Sequence, residues 1–265
     1  MKKDTSWSTV SKWYDDMLEK DGGGYQKELI LPNMLRLLAI QGGEHVLDLA
    51  CGQGYFSRAF AGAGARVTGV DASKKLIEIA KDRAIERTKY YVAPAHALSF
   101  ITDRSVDAAV IILAIQNIEN LHEVFRECAR VLKDDRRLFL VLTHPAFRVP
   151  KASAWGFDEK EGVQYRRVDE YLSEKKVKIQ MHPGDKPDAY TISFHRPLQL
   201  YVKLLSRAGF AITRLEEWNS HKKSAPGPRQ RAEDRARKEI PLFMCIEVRK
   251  YHAGEAGVLN PQGKP

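Results

Sequence analysis

Four residues in the first third of the chain have the types and spacing to hold a charged nucleoside. Asp48 precedes Gly52 and Gly54, and Asp71 closes a second apolar run, Val67-Thr68-Gly69-Val70-Asp71. Glycines without a Cβ let backbone N–H groups approach a ligand, and the helical pattern that starts at Phe56 adds a positive helix end. An acid at the tip of the neighbouring strand suits the two hydroxyls of a ribose. Ala50 and Cys51 complete the glycine loop with small side chains, so Cys51 reads as packing rather than as a nucleophile. A bare glycine pair also occurs in plain strand-to-helix turns, and it is the second acid that favours a ligand.

Dinucleotides and S-adenosylmethionine share this geometry. A dinucleotide site prefers a third glycine three positions after the second, where this chain has Ser57. Asp48 would repel a pyrophosphate but attract the ammonium of a methionine moiety. The residues therefore favour S-adenosylmethionine.

Stepping outward, Val46-Leu47-Asp48-Leu49 reads as a buried strand feeding a tight loop, and 66–71 as its neighbour. Helices are expected over 55–63 and 74–87, the second capped by Ser73 with Leu76, Ile77, Ile79, Ala80 and Ala84 facing a sheet. Further strands are expected at 89–93, 107–113 and 138–143. The run 107–113 is nearly all apolar, as in a central parallel strand covered on both faces. Loops at the carboxyl ends of such strands line the ligand crevice.

With D-L-A-C-G-Q-G at 48–54, G-V-D-A-S at 69–73, V-D-A-A-V-I-I-L at 106–113 and R-V-L-K-D-D-R-R-L-F-L-V at 130–141, the chain resembles the class I S-adenosylmethionine-dependent methyltransferases over most of its length. The resemblance implies an α/β fold, a doubly wound and mostly parallel seven-stranded sheet with an antiparallel edge hairpin. It implies a methyltransferase core over 41–147 and 198–250, and an N-terminal helical lid over 1–40 in which Tyr14 and Tyr25 close over the cofactor. Residues 148–197 alternate apolar and polar positions in antiparallel ribbons at 165–171, 177–181 and 190–195, where small-molecule members of the family place a substrate cap. Residues 251–265 read as a flexible tail. The cofactor set it implies is Asp48, Ala50, Cys51, Gly52, Gly54, Asp71, Ala72, Ala95, His96 and Leu113, with Tyr14 and Tyr25. Two departures stand out. Pro94 occupies the place of the aspartate that binds the adenine amino group, leaving the N–H near Ala95 and the ring of His96 as substitutes, or His96 as a solvated loop residue. A glycine expected at Arg136 or Arg137 is missing, which should alter a turn away from the cofactor.

Gln116 and Asn117 are candidates for substrate contact, while Asn120 competes between that role and capping the helix at 121–132. His144 and His195 could take a proton from an attacking oxygen or nitrogen, or could be bonded strand-end residues. Arg196 would pair with an acidic substrate group, and Tyr201 follows on the next helix. No N-P-P-Y signature of amino-methylating nucleic-acid enzymes is present.

At 265 residues and 43% hydrophobic, the chain can bury a full core. No run is apolar enough to cross a bilayer, and no signal peptide opens it, so a cytosolic protein is expected. The three cysteines are far apart, without metal or redox spacing. Much of the net charge of +9 lies in 219–239, read as a solvated loop and helix. The expected partner is a small-molecule methyl acceptor, for a monomer or homodimer. Against it stand an RNA or protein methyltransferase using the basic segment and a cofactor-binding scaffold without catalysis.

Overall fold

The computed structural model describes residues 6–11, 15–16, 24–180 and 190–251. Tyr14 of the expected lid, the end of the expected ribbon at 177–181 and the tail beyond Tyr251 lie outside the described residues.

A 3-10 turn, Ser6–Thr9, comes first. A π-helical turn, Gln26–Ile30, runs into α1 (Leu31–Leu38). Then follow β1 (His45–Leu49), α2 (Tyr55–Gly62), β2 (Arg66–Asp71), α3 (Lys74–Asp82), β3 (Thr88–Val92) and β4 (Val106–Ile112). After a 3-10 turn at Ile115–Asn117 come α4 (Leu121–Val131) and β5 (Leu132–Thr143). Two hairpins follow, β6 (Ser153–Asp158) with β7 (Val163–Val168) and β8 (Lys175–Gln180) with β9 (Tyr190–His195). The chain ends with α5 (Leu198–Arg207), β10 (Phe210–Trp218), α6 (Gln230–Glu239) and β11 (Phe243–Lys250).

Seven strands form one sheet in the order β10-β11-β5-β4-β1-β2-β3. Only β11 runs against the others, pairing antiparallel with both β5 and β10. The α/β fold expected from the sequence is therefore present, with its antiparallel edge. Strand periodicity sorts side chains between the two faces. Leu47, Ala109 and Ile111 enter a core with α4 and α5, while Val46, Ala108 and Val110 enter another with α1 and α2. All seven positions of β4 are buried, which requires helices on both sides. Phe60, fully buried in the second core, makes the typical contribution of such a ring, about 1.5–3 kcal/mol relative to exposure.

Several boundaries differ from the sequence expectation for identifiable reasons. Helix α3 stops at Asp82, and Ala84 is exposed. Strand β5 starts at Leu132, passing through Asp135 at φ 57° where a turn was expected. Arg137, in place of the missing glycine, donates to the Leu37 and Leu38 carbonyls at 2.9 and 2.8 Å and so closes the end of α1. Strand β6 was hidden because Gly156 interrupts its pattern. A Cβ there would stand 2.6 Å from the Tyr165 hydroxyl on the paired strand.

The basic segment folds back onto the first hairpin. Arg229 pairs with Glu159 and its guanidinium lies 4.4 Å from the centre of the Phe157 ring. Arg237 bonds Ser224, and Lys222 lies over the Tyr25 ring. Strand β9 packs against both the Ser6–Thr9 and Ile115–Asn117 turns, which brings the second hairpin to the carboxyl rim of the sheet. No helix among the described residues is long and apolar enough to cross a membrane.

Candidate active site

The strand order reverses at β1, which pairs with β2 on one side and β4 on the other. A cavity of about 340 Å³ opens there, at the carboxyl ends of the three strands. Its size falls at the lower end of small-ligand sites. Ala50 and Gly52 line it from the loop after β1, Asp71 and Ala72 from the end of β2, and Leu113 from the end of β4. Ala95 and His96 line it beyond β3, and Asn117 does so from the turn after Leu113.

Asp71 is set for ligand contact. The Gly52 N–H donates to its Oδ2 at 3.0 Å and the Ser73 N–H to its Oδ1 at 2.8 Å. Each carboxylate oxygen has capacity for a second bond, so the pair can accept vicinal hydroxyls. Burial raises the Asp71 pKa, and the two backbone bonds oppose that shift. Ser73 also accepts from Leu76 N as the cap of α3. Ala50 and Leu113 hold φ of 57° and 53°, a left-handed backbone that costs a residue with a Cβ about 1–2 kcal/mol. Both sit at strand ends on the cavity wall, where strain of this kind serves to aim backbone groups.

The remaining expected cofactor residues stand behind this wall. Asp48 is 2% exposed, accepts from Ser57 Oγ at 2.6 Å and does not line the cavity. Burial pushes its pKa up to about 7; Ser57 pulls it down and Asp71 adds to the rise. Gly54 is needed for a reason other than ligand clearance: at φ 80°, a Cβ would lie 2.6 Å from the Tyr90 hydroxyl. Cys51 packs with Tyr90, Ile77 and Ala80, and burial holds its thiol protonated. Tyr25 is directed elsewhere. Its hydroxyl bonds Ser220 at 2.8 Å and its ring meets His221 and Phe243 edge-on.

The two expected proton acceptors are not brought to this cavity. The Ala146 N–H donates to His144 Nδ1, so Nε2 carries the proton and donates to Glu217 Oε1 at 2.7 Å. Burial lowers the pKa of His144 despite Glu217, which keeps the ring neutral. His195 is 4% exposed, with Nε2 2.8 Å from the Tyr171 carbonyl. Gln116, His195, Arg196 and Tyr201 instead surround a second, much smaller void.

Trp7, Asp15 and Glu119 escaped the sequence reading. Trp7 lines the large cavity, and its turn is fastened to α3 by a 2.7 Å bond between Ser8 and Ser73. Asp15 extends that attachment through a two-pronged pair with Arg83 at 2.5 and 2.9 Å. Glu119 and Asn120 also line the cavity, and Asn120 makes no side-chain cap bond to α4. Of the two roles that the sequence left open for Asn120, the fold favours the cavity over the cap. Among the described residues no group of three His, Cys, Asp or Glu is placed to hold a metal.

A nucleoside-sized crevice at a strand-order reversal, with an acid ready for a ribose, defines a Rossmann-like cofactor-binding α/β protein. Residues 47–140 match the family model described as a methyltransferase domain. The ubiquinone/menaquinone biosynthesis C-methyltransferase UbiE of Rubrivivax gelatinosus is 30% identical over 172 residues, 60% of this chain and 68% of that one. The ubiquinone biosynthesis O-methyltransferase of Xanthomonas oryzae pv. oryzae is 31% identical over 139 residues, 49% of this chain and 56% of that one. Other curated relatives are matched over about half their length, such as 46% and 43% of two demethylmenaquinone methyltransferases. The crystal structure of an S-adenosylmethionine-dependent methyltransferase from Mesorhizobium loti superposes with a TM-score of 0.66 at 27% identity, covering 83% of this chain and 96% of that one. The chain belongs to the S-adenosylmethionine-dependent methyltransferases, and S-adenosylmethionine is its cofactor.

Proposed function

We propose that this protein transfers a methyl group from S-adenosylmethionine to an oxygen or nitrogen of a small molecule held beneath the two hairpins, β6–β7 and β8–β9. The observation that carries this reading is the cavity wall at Asp71, where both carboxylate oxygens are oriented by backbone N–H groups beside Gly52. Bound there, the sulfonium supplies an electrophilic methyl group and a neutral thioether leaving group. The chain's residues bind, align and keep out water.

In this assignment Asp71 accepts the ribose hydroxyls and the Ala50–Gly52 backbone receives the amino-acid end, with Asp48 buried behind that wall. Ala95 and His96 flank the adenine. Trp7 covers the crevice, and Asn117 and Asn120 face the acceptor. The Tyr25 lid assignment gives way to Trp7 as the covering residue. His96 is the histidine on the cavity wall, so a proton leaving the acceptor has that ring or solvent as its destination. The names of the two curated relatives, both enzymes of quinone biosynthesis, support a small-molecule acceptor.

The test incubates the protein with methyl-labelled S-adenosylmethionine and a cell extract, then separates metabolites, RNA and protein. Label is expected in the metabolite fraction, on an oxygen or nitrogen. Label confined to RNA or protein would overturn the acceptor class, and a new carbon–methyl bond would overturn the accepting atom.

A further inference from the structure

A cleft of about 590 Å³ lies at the amino ends of β1, β2 and β3, and it shares no lining residue with the cofactor cavity at their carboxyl ends. It is open because the chain crosses from β3 to β4 through residues 93–105 without a helix, where a parallel crossover usually carries one that covers the sheet. Strand alternation decides which side chains are left there. Val46 and Val67 enter one core, while Leu47 and Val70 enter the other. On the face of Leu47 and Val70, beyond the reach of that core, His45, Arg66, Thr68, Lys89 and Tyr91 line the cleft.

The charge of this lining is one-sided. Arg66, Arg87 and Lys89 line it and are exposed, no Asp or Glu does so, and among the described residues none of the three cations is in an ion pair. Asp107, which accepts from the His45 N–H, is already paired with Lys133 at 2.7 Å. Both guanidiniums are held in place. Arg66 Nε donates to the Gly43 carbonyl at 3.1 Å and Arg87 Nη1 to the Gly64 carbonyl at 3.3 Å, and the Gly43 N–H bonds the same Gly64 carbonyl at 3.0 Å. One hydrogen-bonded pair of loops therefore anchors the two arginines. His45 adds no charge: Nδ1 donates to the Ser105 carbonyl at 3.1 Å, so Nε2 accepts from the Thr68 hydroxyl at 2.8 Å, and burial chiefly lowers its pKa. A cleft lined by cations without counter-charges concentrates anions.

Beside the cations stand two open rings. Tyr91 and Phe100 lie with centroids 4.8 Å apart and are 40% and 45% exposed, which leaves ring surface for a planar ligand. Cations next to exposed aromatic faces are the combination that takes phosphate and base together. The volume is that of a small-ligand site. No basic track continues from it, because the cation-rich stretch at 219–239 folds onto the first hairpin, beyond the carboxyl end of β5.

We propose that this cleft is a second binding site, for a single nucleotide, with the phosphates on Arg66, Arg87 and Lys89 and the base on Tyr91 and Phe100. It stands apart from the methyltransferase reading, since Asp71 and the cofactor crevice lie at the opposite end of β2.

The experiment saturates the full chain with S-adenosylhomocysteine, to close the cofactor crevice, and titrates it by NMR with uridine diphosphate, uridine and inorganic phosphate. Uridine diphosphate should bind at least about tenfold more tightly than either fragment, because it alone engages cations and rings together. Tyr91→Ala should weaken uridine diphosphate at least about fivefold and leave phosphate within about twofold. Lys89→Gln should weaken both at least about threefold, with S-adenosylhomocysteine affinity unchanged in either variant. Uridine diphosphate binding no tighter than phosphate, no saturable binding of it, or affinity unaltered in both variants would overturn the site. Binding of hexauridylate without binding of uridine diphosphate would also overturn it, the face then serving an RNA strand. Failure of S-adenosylhomocysteine to bind would strike the methyltransferase reading instead, and the two variants would still decide the nucleotide site.

Discussion

Replacing Asp48 by asparagine removes the one carboxylate that the fold buries fully behind the cofactor wall, and the consequence can be worked out. The carboxyl ionises near 3.8 in the unfolded chain and near 7 in the folded one, because burial disfavours its charge. Its folded pKa is raised, so the folded state holds the proton more tightly and stability falls as pH rises from about 4 to about 7. Below that window the penalty is absent, and above it the penalty is complete, at about 4 kcal/mol. Asparagine retains an oxygen to accept from Ser57 but has no charge to desolvate. Urea unfolding of both proteins without cofactor, from pH 4 to 8.5, should therefore show a stability difference that grows in favour of Asp48→Asn by a few kcal/mol and levels off above pH 7. A difference independent of pH would refute the placement of an unpaired buried carboxylate at this position.

Three further outcomes follow from the site. Asp71→Ala should weaken S-adenosylhomocysteine binding by about 2 kcal/mol, roughly thirtyfold, through loss of the ribose bonds, and unchanged affinity in calorimetry would remove Asp71 from the site. Ala50→Gly relieves a left-handed backbone and should change thermal stability by less than about 1 kcal/mol in either direction, whereas Ala50→Val should destabilise by more than that. His144→Ala should destabilise the fold by about 1–2 kcal/mol in denaturant unfolding, through the lost packing of a buried ring and the unpaired Ala146 N–H, while turnover per folded molecule stays within about threefold. A loss of turnover of a hundredfold or more at full folding would restore His144 as a proton acceptor.

The elements that alternate or repeat strongly were legible in the sequence. Strand β4 announces itself because burial on both faces leaves no polar position to blur it, and Asp71 because it ends an apolar run. What was not legible depends on partners distant in the chain. Whether Asn120 caps α4 or faces the cavity is decided by how the turn at Ile115–Asn117 aims the backbone. His144 looks the same in sequence whether it meets a substrate or Glu217, which lies 73 positions away on β10. Trp7 belongs to no motif of the sequence, and only the Ser8–Ser73 bond shows what holds its turn at the crevice.

Tyr90 fills the space that a methyl group on Gly54 or Gly69 would need, within 2.6 Å in both cases. Gly54 of the loop and Gly69 of β2 thus answer to an aromatic neighbour inside the protein as much as to anything bound outside it. A descendant of this chain that ceased to react would still be obliged to keep them for as long as it kept the tyrosine. Their persistence testifies to an intact scaffold, and evidence that the chemistry survives has to come from Asp71 and the surfaces around it.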